Sequence, residues 1–460
     1  MDKSKELGTE KVGKLLLKFS IPAVIGMLVN ALYSVVDRIF VGRGVGSLAL
    51  SGVAVTFPIT NVIMAIGMLV GTGAAAVVSI KLGQNKKELA EKIVGNAFML
   101  TIILSIAISI LGLIFLEPIL LLLGASSETM PYAKQFATIL LAGAVLQNVG
   151  FGLNPIIRSE GDPKTAMITM LIGAALNFMI NPILIFGLKL GVSGSAISTI
   201  VAQAVCSIWI FLYFTKGKSL LKLKRANIKL KKHIINDILA IGVSPFAMQI
   251  AASIVTVFIN TSLVKYGGDL AIGAFSLINC IAILIIMPML GVNQGAQPII
   301  GYNYGAKNTT RVKKAFFYSA GVNGVIATIA VIIVQLFPVQ IIRMFNTTDT
   351  KLIAIGSKGI TIFLMMFVFV GVSTSCINYF QSVGKAKYSM GLSLLRQVIL
   401  LIPLILILPH FFKLNGIWVA GATSDLISSV ITFIFIAREI KILNKLNADE
   451  QEETVVELAI

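Results

Sequence analysis

Charged side chains are scarce in this sequence. Asp, Glu, Lys and Arg make up 13% of its 460 residues, whereas 57% of the residues are hydrophobic. A soluble domain carries roughly 25% charged and 45–50% apolar residues, and so much apolar surface would aggregate in water. The composition therefore excludes a soluble globular protein and predicts one that is surrounded by lipid.

Residues that build metal centres and active sites are also few. The chain has two histidines and three cysteines, and Cys206, Cys280 and Cys376 lie far apart within apolar segments. That spacing fits neither a zinc site nor a disulfide framework, so we interpret the cysteines as small buried side chains. The sequence contains no phosphate-binding loop and no nucleophile constellation. We therefore expect no enzyme activity, no cofactor and no resident metal, and an ion gradient as the energy source.

Long apolar runs are what the sequence does contain. A membrane-spanning helix needs about 20 apolar residues, and these runs lack the ten-residue alternation of a membrane β-barrel. The predicted fold class is an all-α polytopic membrane protein with twelve transmembrane helices. The predicted spans are approximately 19–41, 51–80, 93–116, 132–157, 166–188, 193–215, 238–263, 271–300, 315–337, 353–382, 389–408 and 417–437.

The positive charges are distributed unevenly between the predicted loops. With both termini on one side of the membrane, that side receives 28 Lys and Arg residues and the other receives six. Cytoplasmic loops carry the excess of Lys and Arg, so both termini are predicted to be cytoplasmic. The net charge of +18 sits in short runs between apolar segments, which argues against nucleic-acid binding.

The two halves of the chain resemble each other at an offset of about 223 residues. Ser159 matches Ser382, Gly161 matches Gly384 and Lys164 matches Lys387. After one deletion, Gly73/Gly295 and Gly83/Gly305 keep an offset of 222. Each half holds six predicted spans, so the halves are parallel repeats related by an axis along the membrane normal, as in transporters that rock two lobes around a central site.

This duplication gives the predicted domain organisation. A cytoplasmic N-terminus comes first, and a basic cytoplasmic linker separates an N-lobe of six helices from a C-lobe of six. An acidic, disordered cytoplasmic tail ends the chain. The predicted boundaries are 1–18 for the N-terminus, 19–215 for the N-lobe, 216–237 for the linker, 238–437 for the C-lobe and 438–460 for the tail.

Polar residues inside the predicted spans are candidates for function, because they are costly in a membrane. Asn30, Tyr33 and Asp37 share one face of the first span. Met170, Asn177 and Asn181 share one face of the fifth, Thr199 lies in the sixth, and Pro182 should break the helix after Asn181 and free a carbonyl. Oxygen donors of this kind suit a hard cation such as Na⁺. The alternative is that Asn and Thr only hydrogen-bond between helices.

Four segments of the chain resemble the multidrug and toxic compound extrusion (MATE) family, and specifically its MepA-like bacterial branch. The resemblance covers residues 10–440. The matching segments are Val36–Asp37, Leu176–Pro182, Gly191–Thr199 and Gly291–Ala306.

The resemblance implies two pseudo-twofold six-helix lobes around a V-shaped cavity. It also implies multidrug efflux, and thus antibiotic resistance, by antiport of cationic amphipathic compounds with H⁺ or Na⁺ across a bacterial cytoplasmic membrane. The coupling-ion site would consist of Asp37, Asn177, Asn181 and Thr199. Pro22, Asn30, Tyr33, Asn154 and Met170 would line the substrate cavity, and the protein is expected to act as a monomer whose partners are small-molecule drugs and lipid.

The chain departs from the family pattern at two positions. Many relatives carry a second Asp where this chain has Asn181, and the C-lobe has Asn260 at the position that corresponds to Asp37. Coupling is therefore expected in the N-lobe, with one carboxylate. Arg396 and Asp425, in the eleventh and twelfth spans, are expected to pair.

Three other functions remain as alternatives to drug antiport. A lipid-linked oligosaccharide flippase of the same superfamily is one, although such proteins often have extra spans and a cationic cavity. A channel and a non-transporting receptor are the others, and the pseudo-twofold repeat argues against a channel.

Overall fold

The structure is a computed structural model that describes residues 4–345 and 349–459. Within these ranges the chain forms helices and contains no β-strand. The first half holds six long helical elements, of which α4 is broken into segments and α5 ends in a π-helical turn over Ile183–Gly187. They are α1 (Val12–Gly44), α2 (Phe57–Gly83), α3 (Lys87–Ile114), α4 (Met130–Ala142 and Ala144–Ser159), α5 (Pro163–Pro182) and α6 (Gly191–Thr215).

The second half repeats this arrangement. One continuous helical stretch, Lys232–Gly305, bends at Gly268, which has a φ of 65° that glycine tolerates. The bend divides the stretch into two helices. The six elements are α7 (Lys232–Gly268), α8 (Leu270–Gly305), α9 (Thr309–Leu336), α10 (Thr350–Phe363 and Phe367–Ser382), α11 (Ala386–Phe412, with a π-helical segment at Leu395–Leu400) and α12 (Leu414–Ala459).

The described helices account for the predicted spans with two differences. Nine are long and apolar enough to cross a membrane, and eleven if each of two bent pairs counts as one span. The twelfth predicted span, 417–437, lies within α12. That helix continues to Ala459, so the prediction of a disordered tail is wrong. The helix can extend this far because the sequence has no proline or glycine after Gly421.

The two bent pairs occupy corresponding places in the two halves. The segments of α4 meet at 59° and those of α10 at 50°. Their second segments begin at Ala144 and Phe367, which are 223 residues apart. The duplication seen in the sequence is therefore also present in the backbone as a shared bend.

Glycines bring the two halves into close contact on the side where the chain begins. A Cβ added at Gly83, at the end of α2, would lie 1.9 Å from the Tyr302 carbonyl oxygen of α8. A Cβ at Gly305 would lie 2.1 Å from the Ile80 carbonyl oxygen of α2. Small residues permit such backbone approach between membrane helices, and these two glycines are one of the repeat pairs in the sequence.

The connection between the halves is docked on the first half. Asn96 of α3 donates to the carbonyl of Asn227 at 3.3 Å and accepts from the backbone N–H of Lys231 at 2.7 Å. Lys224 pairs with the buried carboxylate of Glu91 at 2.6 Å. The basic segment is thus held against α3 by directed hydrogen bonds.

Candidate functional site

The Asp37 carboxylate lies where α1, α5 and α6 meet. Its Oδ1 accepts a hydrogen bond from the Asn181 amide at 2.5 Å and another from the Ser195 hydroxyl at 2.7 Å. No Lys or Arg of the described chain forms an ion pair with it. A carboxylate held inside a helix bundle by neutral donors keeps its capacity to bind a cation.

The hydrogen bonds continue from this carboxylate to the next side chains. Asn181 also donates to the Asn177 side-chain oxygen at 3.4 Å, and the Asn177 amide donates to the Thr199 hydroxyl at 3.2 Å. The Tyr33 and Thr199 hydroxyls are 3.1 Å apart. The structure therefore brings together the four residues predicted as the coupling-ion site, with Tyr33 as a fifth member.

Each of the three helices supplies two residues of this network at the same spacing. The pairs are Tyr33/Asp37 on α1, Asn177/Asn181 on α5 and Ser195/Thr199 on α6. Residues four apart lie one above the other on a helix face, so three polar faces converge. The α-helical part of α5 ends at Pro182, just after Asn181 as the sequence suggested, but the chain stays helical because it continues directly into the π-helical turn Ile183–Gly187.

The chemistry of this cluster suits a small hard cation. It offers carboxylate, amide and hydroxyl oxygens, which hard cations prefer. The Asn181 side-chain oxygen is buried and has no hydrogen-bond partner in the described protein. Such an oxygen is costly unless something binds it, and a cation beside Asp37 would satisfy it.

A cavity lies next to the cluster, lined by α1, α2, α4, α5 and α6 of the first half and by Gln294 of α8. Asn30, Tyr33, Asn154 and Met170, four of the five predicted cavity residues, line it, whereas Pro22 is not part of the lining. Asn177 and Thr199 belong to both the cluster and the wall. The lining residues are Met27, Asn30, Tyr33, Gly67, Met68, Thr72, Gly150, Phe151, Gly152, Asn154, Pro155, Arg158, Thr169, Met170, Gly173, Ala174, Asn177, Thr199, Ala202, Gln203, Cys206 and Gln294.

Sequence reasoning missed two functional candidates that the structure reveals. Ser195 donates to Asp37, and its position four residues before Thr199 was the available signal. Arg158 lines the cavity, although it was counted among the cytoplasmic loop charges because it follows the fourth predicted span. Its orientation towards the cavity depends on how α4 packs, which no local pattern gives.

The second half has a different polar arrangement. Asn260, which corresponds to Asp37, is exposed. Arg396 and Asp425 form the expected pair, with Arg396 Nε 2.6 Å from Asp425 Oδ1. The carboxylate of this half is therefore already neutralised by a protein cation, unlike that of Asp37.

Comparison with known proteins supports the assignment made from the motifs. The family model MatE matches the chain twice, over residues 22–183 and 245–407, which together exceed half of its length. The chain belongs to the MATE family. The two matches of this MATE protein begin 223 residues apart, which confirms the internal repeat.

The curated relatives of this MATE protein include multidrug exporters. It is 26% identical over 404 residues to the multidrug export protein MepA of Staphylococcus haemolyticus, covering 88% of each chain. It is 26% identical over 409 residues to MepA of Staphylococcus aureus strain MRSA252, covering 88% of this chain and 89% of that one. These relatives confirm the MepA-like branch and multidrug efflux, and they do not favour the flippase alternative.

Solved structures confirm the all-α polytopic MATE fold. A multidrug resistance MATE transporter of the MOP superfamily in an outward-facing conformation superposes with a TM-score of 0.89 at 27% identity, covering 96% of this chain and 98% of that one. A MOP superfamily transporter from Pyrococcus furiosus, described as having a binding pocket of reverse polarity, superposes with a TM-score of 0.90 at 26% identity, covering 95% of this chain and 98% of that one. The protein is a multi-pass membrane transporter.

Proposed function

We propose that this MATE protein exports cationic amphipathic compounds by antiport with H⁺ or Na⁺, and that the coupling ion binds at Asp37. The observation that supports this most directly is the Asp37 carboxylate, which two neutral donors hold and with which no Lys or Arg of the described chain forms an ion pair. Hydrogen bonds connect it to Tyr33, Asn177 and Thr199. A cation that binds the carboxylate can therefore change the wall of the adjoining cavity.

The cavity provides the surfaces that an amphipathic cation needs. Tyr33 offers an aromatic face for a cation, and Met27, Met68 and Met170 offer adaptable apolar surface. The relatives named as multidrug exporters are consistent with such a mixed lining.

One carboxylate sets the energy that each cycle can use. If one H⁺ enters for each monovalent drug cation that leaves, no net charge moves and the membrane potential contributes nothing. One pH unit then supplies about 1.4 kcal/mol, or roughly a tenfold drug gradient. Export of a neutral compound would gain a further ~2.3 kcal/mol for each 100 mV.

The proposed location is the cytoplasmic membrane of a bacterium, with both termini in the cytoplasm. The 28-to-six distribution of Lys and Arg supports this orientation. We propose a monomer without an obligatory protein partner, because the cluster and the cavity are built from the helices of one chain.

Reconstituted vesicles loaded with a self-quenching dye cation test this proposal. Dye release is measured as the rise in fluorescence when the dye is no longer quenched. It is initiated separately by an inward Na⁺ gradient and by an inward H⁺ gradient. The wild type should respond to at least one gradient. Asp37→Asn, which keeps the size of the side chain, should abolish that response.

The matched control is Glu117→Gln, because Glu117 forms only an exposed ion pair with Lys134 at 3.0 Å. It should transport like the wild type. Full gradient-driven release by Asp37→Asn would refute coupling at this residue, and dissipation of the ion gradients without dye would indicate a channel instead.

A further inference from the structure

The guanidinium of Arg158 is a buried positive charge in the wall of the cavity. Arg158 lies at the end of α4 and is 4% exposed. Its Nη1 donates to the Asn154 side-chain oxygen at 2.9 Å. A guanidinium has five N–H groups, and this hydrogen bond uses one of them.

The carboxylates nearest in sequence are used elsewhere. Glu160 accepts from the Ser219 hydroxyl at 2.8 Å and from the Leu221 backbone N–H at 3.1 Å. Asp162 caps α5 by accepting from the Thr165 backbone N–H at 3.2 Å. None of the ion pairs found among the described residues involves Arg158.

A buried charge without a counter-charge is costly, and proteins normally pair it. We propose that Arg158 binds the carboxylate of an amphipathic substrate that occupies the cavity. The planar guanidinium can hold a carboxylate through two parallel hydrogen bonds, and Asn154 keeps it oriented. This inference rests on the proposed function, since it takes the cavity to be the substrate site.

The position of Arg158 also defines the shape of such a substrate. Asn154 donates to the carbonyl of Ala166 near the start of α5, which places the Arg158 end of the cavity there. The α5 wall then extends from Thr169 to Asn177, a rise of about 12 Å, and Asn177 leads to Asp37. The cavity therefore presents a positive group at one end and a network containing a carboxylate at the other, which suits an elongated zwitterion.

A matched dye pair isolates the charge that Arg158 recognises. A rhodamine with a free carboxyl group is a zwitterion at neutral pH, and its methyl ester is a cation of nearly the same shape. Binding of both is measured by fluorescence anisotropy in nanodiscs of phosphatidylcholine. In Arg158→Gln, the ratio of free-acid affinity to ester affinity should fall about ten- to hundredfold, as expected for a lost hydrogen bond to a charged group.

Arg343→Gln is the matched control, because Arg343 is exposed and lies outside the cavity, and its ratio should equal that of the wild type. In the wild type alone, benzoate should displace the free acid and leave the ester bound, which keeps the test valid if Arg158→Gln does not fold. An unchanged ratio in a folded variant, or equal displacement of both dyes by benzoate, overturns the inference.

Two further arms separate this inference from its alternatives. Replacing part of the lipid by phosphatidylglycerol tests a head-group phosphate as the anion. Weaker free-acid binding in the wild type but not in Arg158→Gln would assign the anion site to lipid and overturn the substrate carboxylate. If the wild type binds neither dye, the proposed function fails together with the inference. If the wild type binds the ester but Arg158→Gln has the same ratio of free-acid to ester affinity, the inference alone is overturned.

Discussion

Asn181 shows how one side chain can decide which ion the site prefers. Its amide donates to Asp37 at 2.5 Å. In Asn181→Asp, two carboxylates would share the site, and their repulsion is relieved only when a cation binds between them. We expect the Na⁺ concentration for half-maximal dye release to fall roughly tenfold or more, since the added charge acts at contact distance.

Vesicle dye release over a Na⁺ titration measures this change. Asn444→Asp is the control, because it adds the same carboxylate on the exposed part of α12. An Asn181→Asp variant whose Na⁺ dependence matches that of the wild type would show that Na⁺ does not bind at this cluster.

Glu160 is a second side chain whose environment makes a quantitative prediction. It lies in the turn between α4 and α5 and accepts hydrogen bonds from Ser219 and Leu221 of the linker. Burial raises the pKa of this carboxyl from 4.5 to about 7, despite those donors. The folded protein therefore holds a proton there that the unfolded chain has already released.

The free energy of unfolding should consequently fall as the pH rises from 4.5 to about 7. Since the folded state binds more protons between pH 4.5 and about 7, the loss should total about 3 kcal/mol by the upper end. Glu160→Gln should remove this part of the pH dependence. Thermal unfolding of detergent-solubilised protein between pH 5 and 8 checks it, and an identical pH slope in both proteins would contradict it.

Among the helices, α11 and α12 are joined by an ion pair between a half-buried arginine and a buried aspartate. Arg396 lies in the π-helical segment of α11, and its Nε is 2.6 Å from Asp425 of α12. The Ser424 hydroxyl donates to the Arg396 carbonyl at 2.7 Å. The α12 helix therefore binds both the side chain and the backbone carbonyl of Arg396 in the π-helical segment.

Removing one partner of this pair should destabilise the protein far more than removing both. Asp425→Asn should cost on the order of 3 kcal/mol because it leaves a half-buried guanidinium without its counter-charge. The double variant Arg396→Met/Asp425→Leu should recover most of that loss. Unfolding midpoints of Arg396→Met, Asp425→Leu and their double variant form the required cycle, and additive losses would show that the two residues do not interact.

The protein as a whole depends on close contact between its two halves. Gly83 and Gly305 allow α2 and α8 to touch through their backbones. In Gly305→Ala, the new Cβ would clash with the Ile80 carbonyl 2.1 Å away, so the halves must separate on the side that carries the termini. Gly321→Ala is the control, because nothing lies within 4 Å of a Cβ at that position.

Spin labels at Lys87 and Lys314, one in each half, report this separation. Double electron–electron resonance should show a longer distance between the two labels in Gly305→Ala than in the wild type. Gly321→Ala should leave this distance unchanged. An unaltered distance in Gly305→Ala would mean that the contact adjusts within one helix and that the halves do not move.

Much of this architecture could be predicted from the sequence, and the failures have identifiable causes. Hydrophobic runs revealed the helices, and a constant offset revealed the repeat that the family model confirms. The bends of α4 and α10 were missed, because Gly143 and Met366 look like ordinary residues of apolar runs. The helical tail was missed because charge density suggested disorder.

The sequence by itself determined the transmembrane helices, the duplication and the residues of the Asp37 cluster other than Ser195. These follow from local rules: apolar length, helical spacing and the cost of polar groups in lipid. Only the tertiary structure decided that Ser195 bonds Asp37 and that Arg158 lines the cavity. Each depends on how one helix is rotated against another, and that rotation is set by packing between segments far apart in the chain.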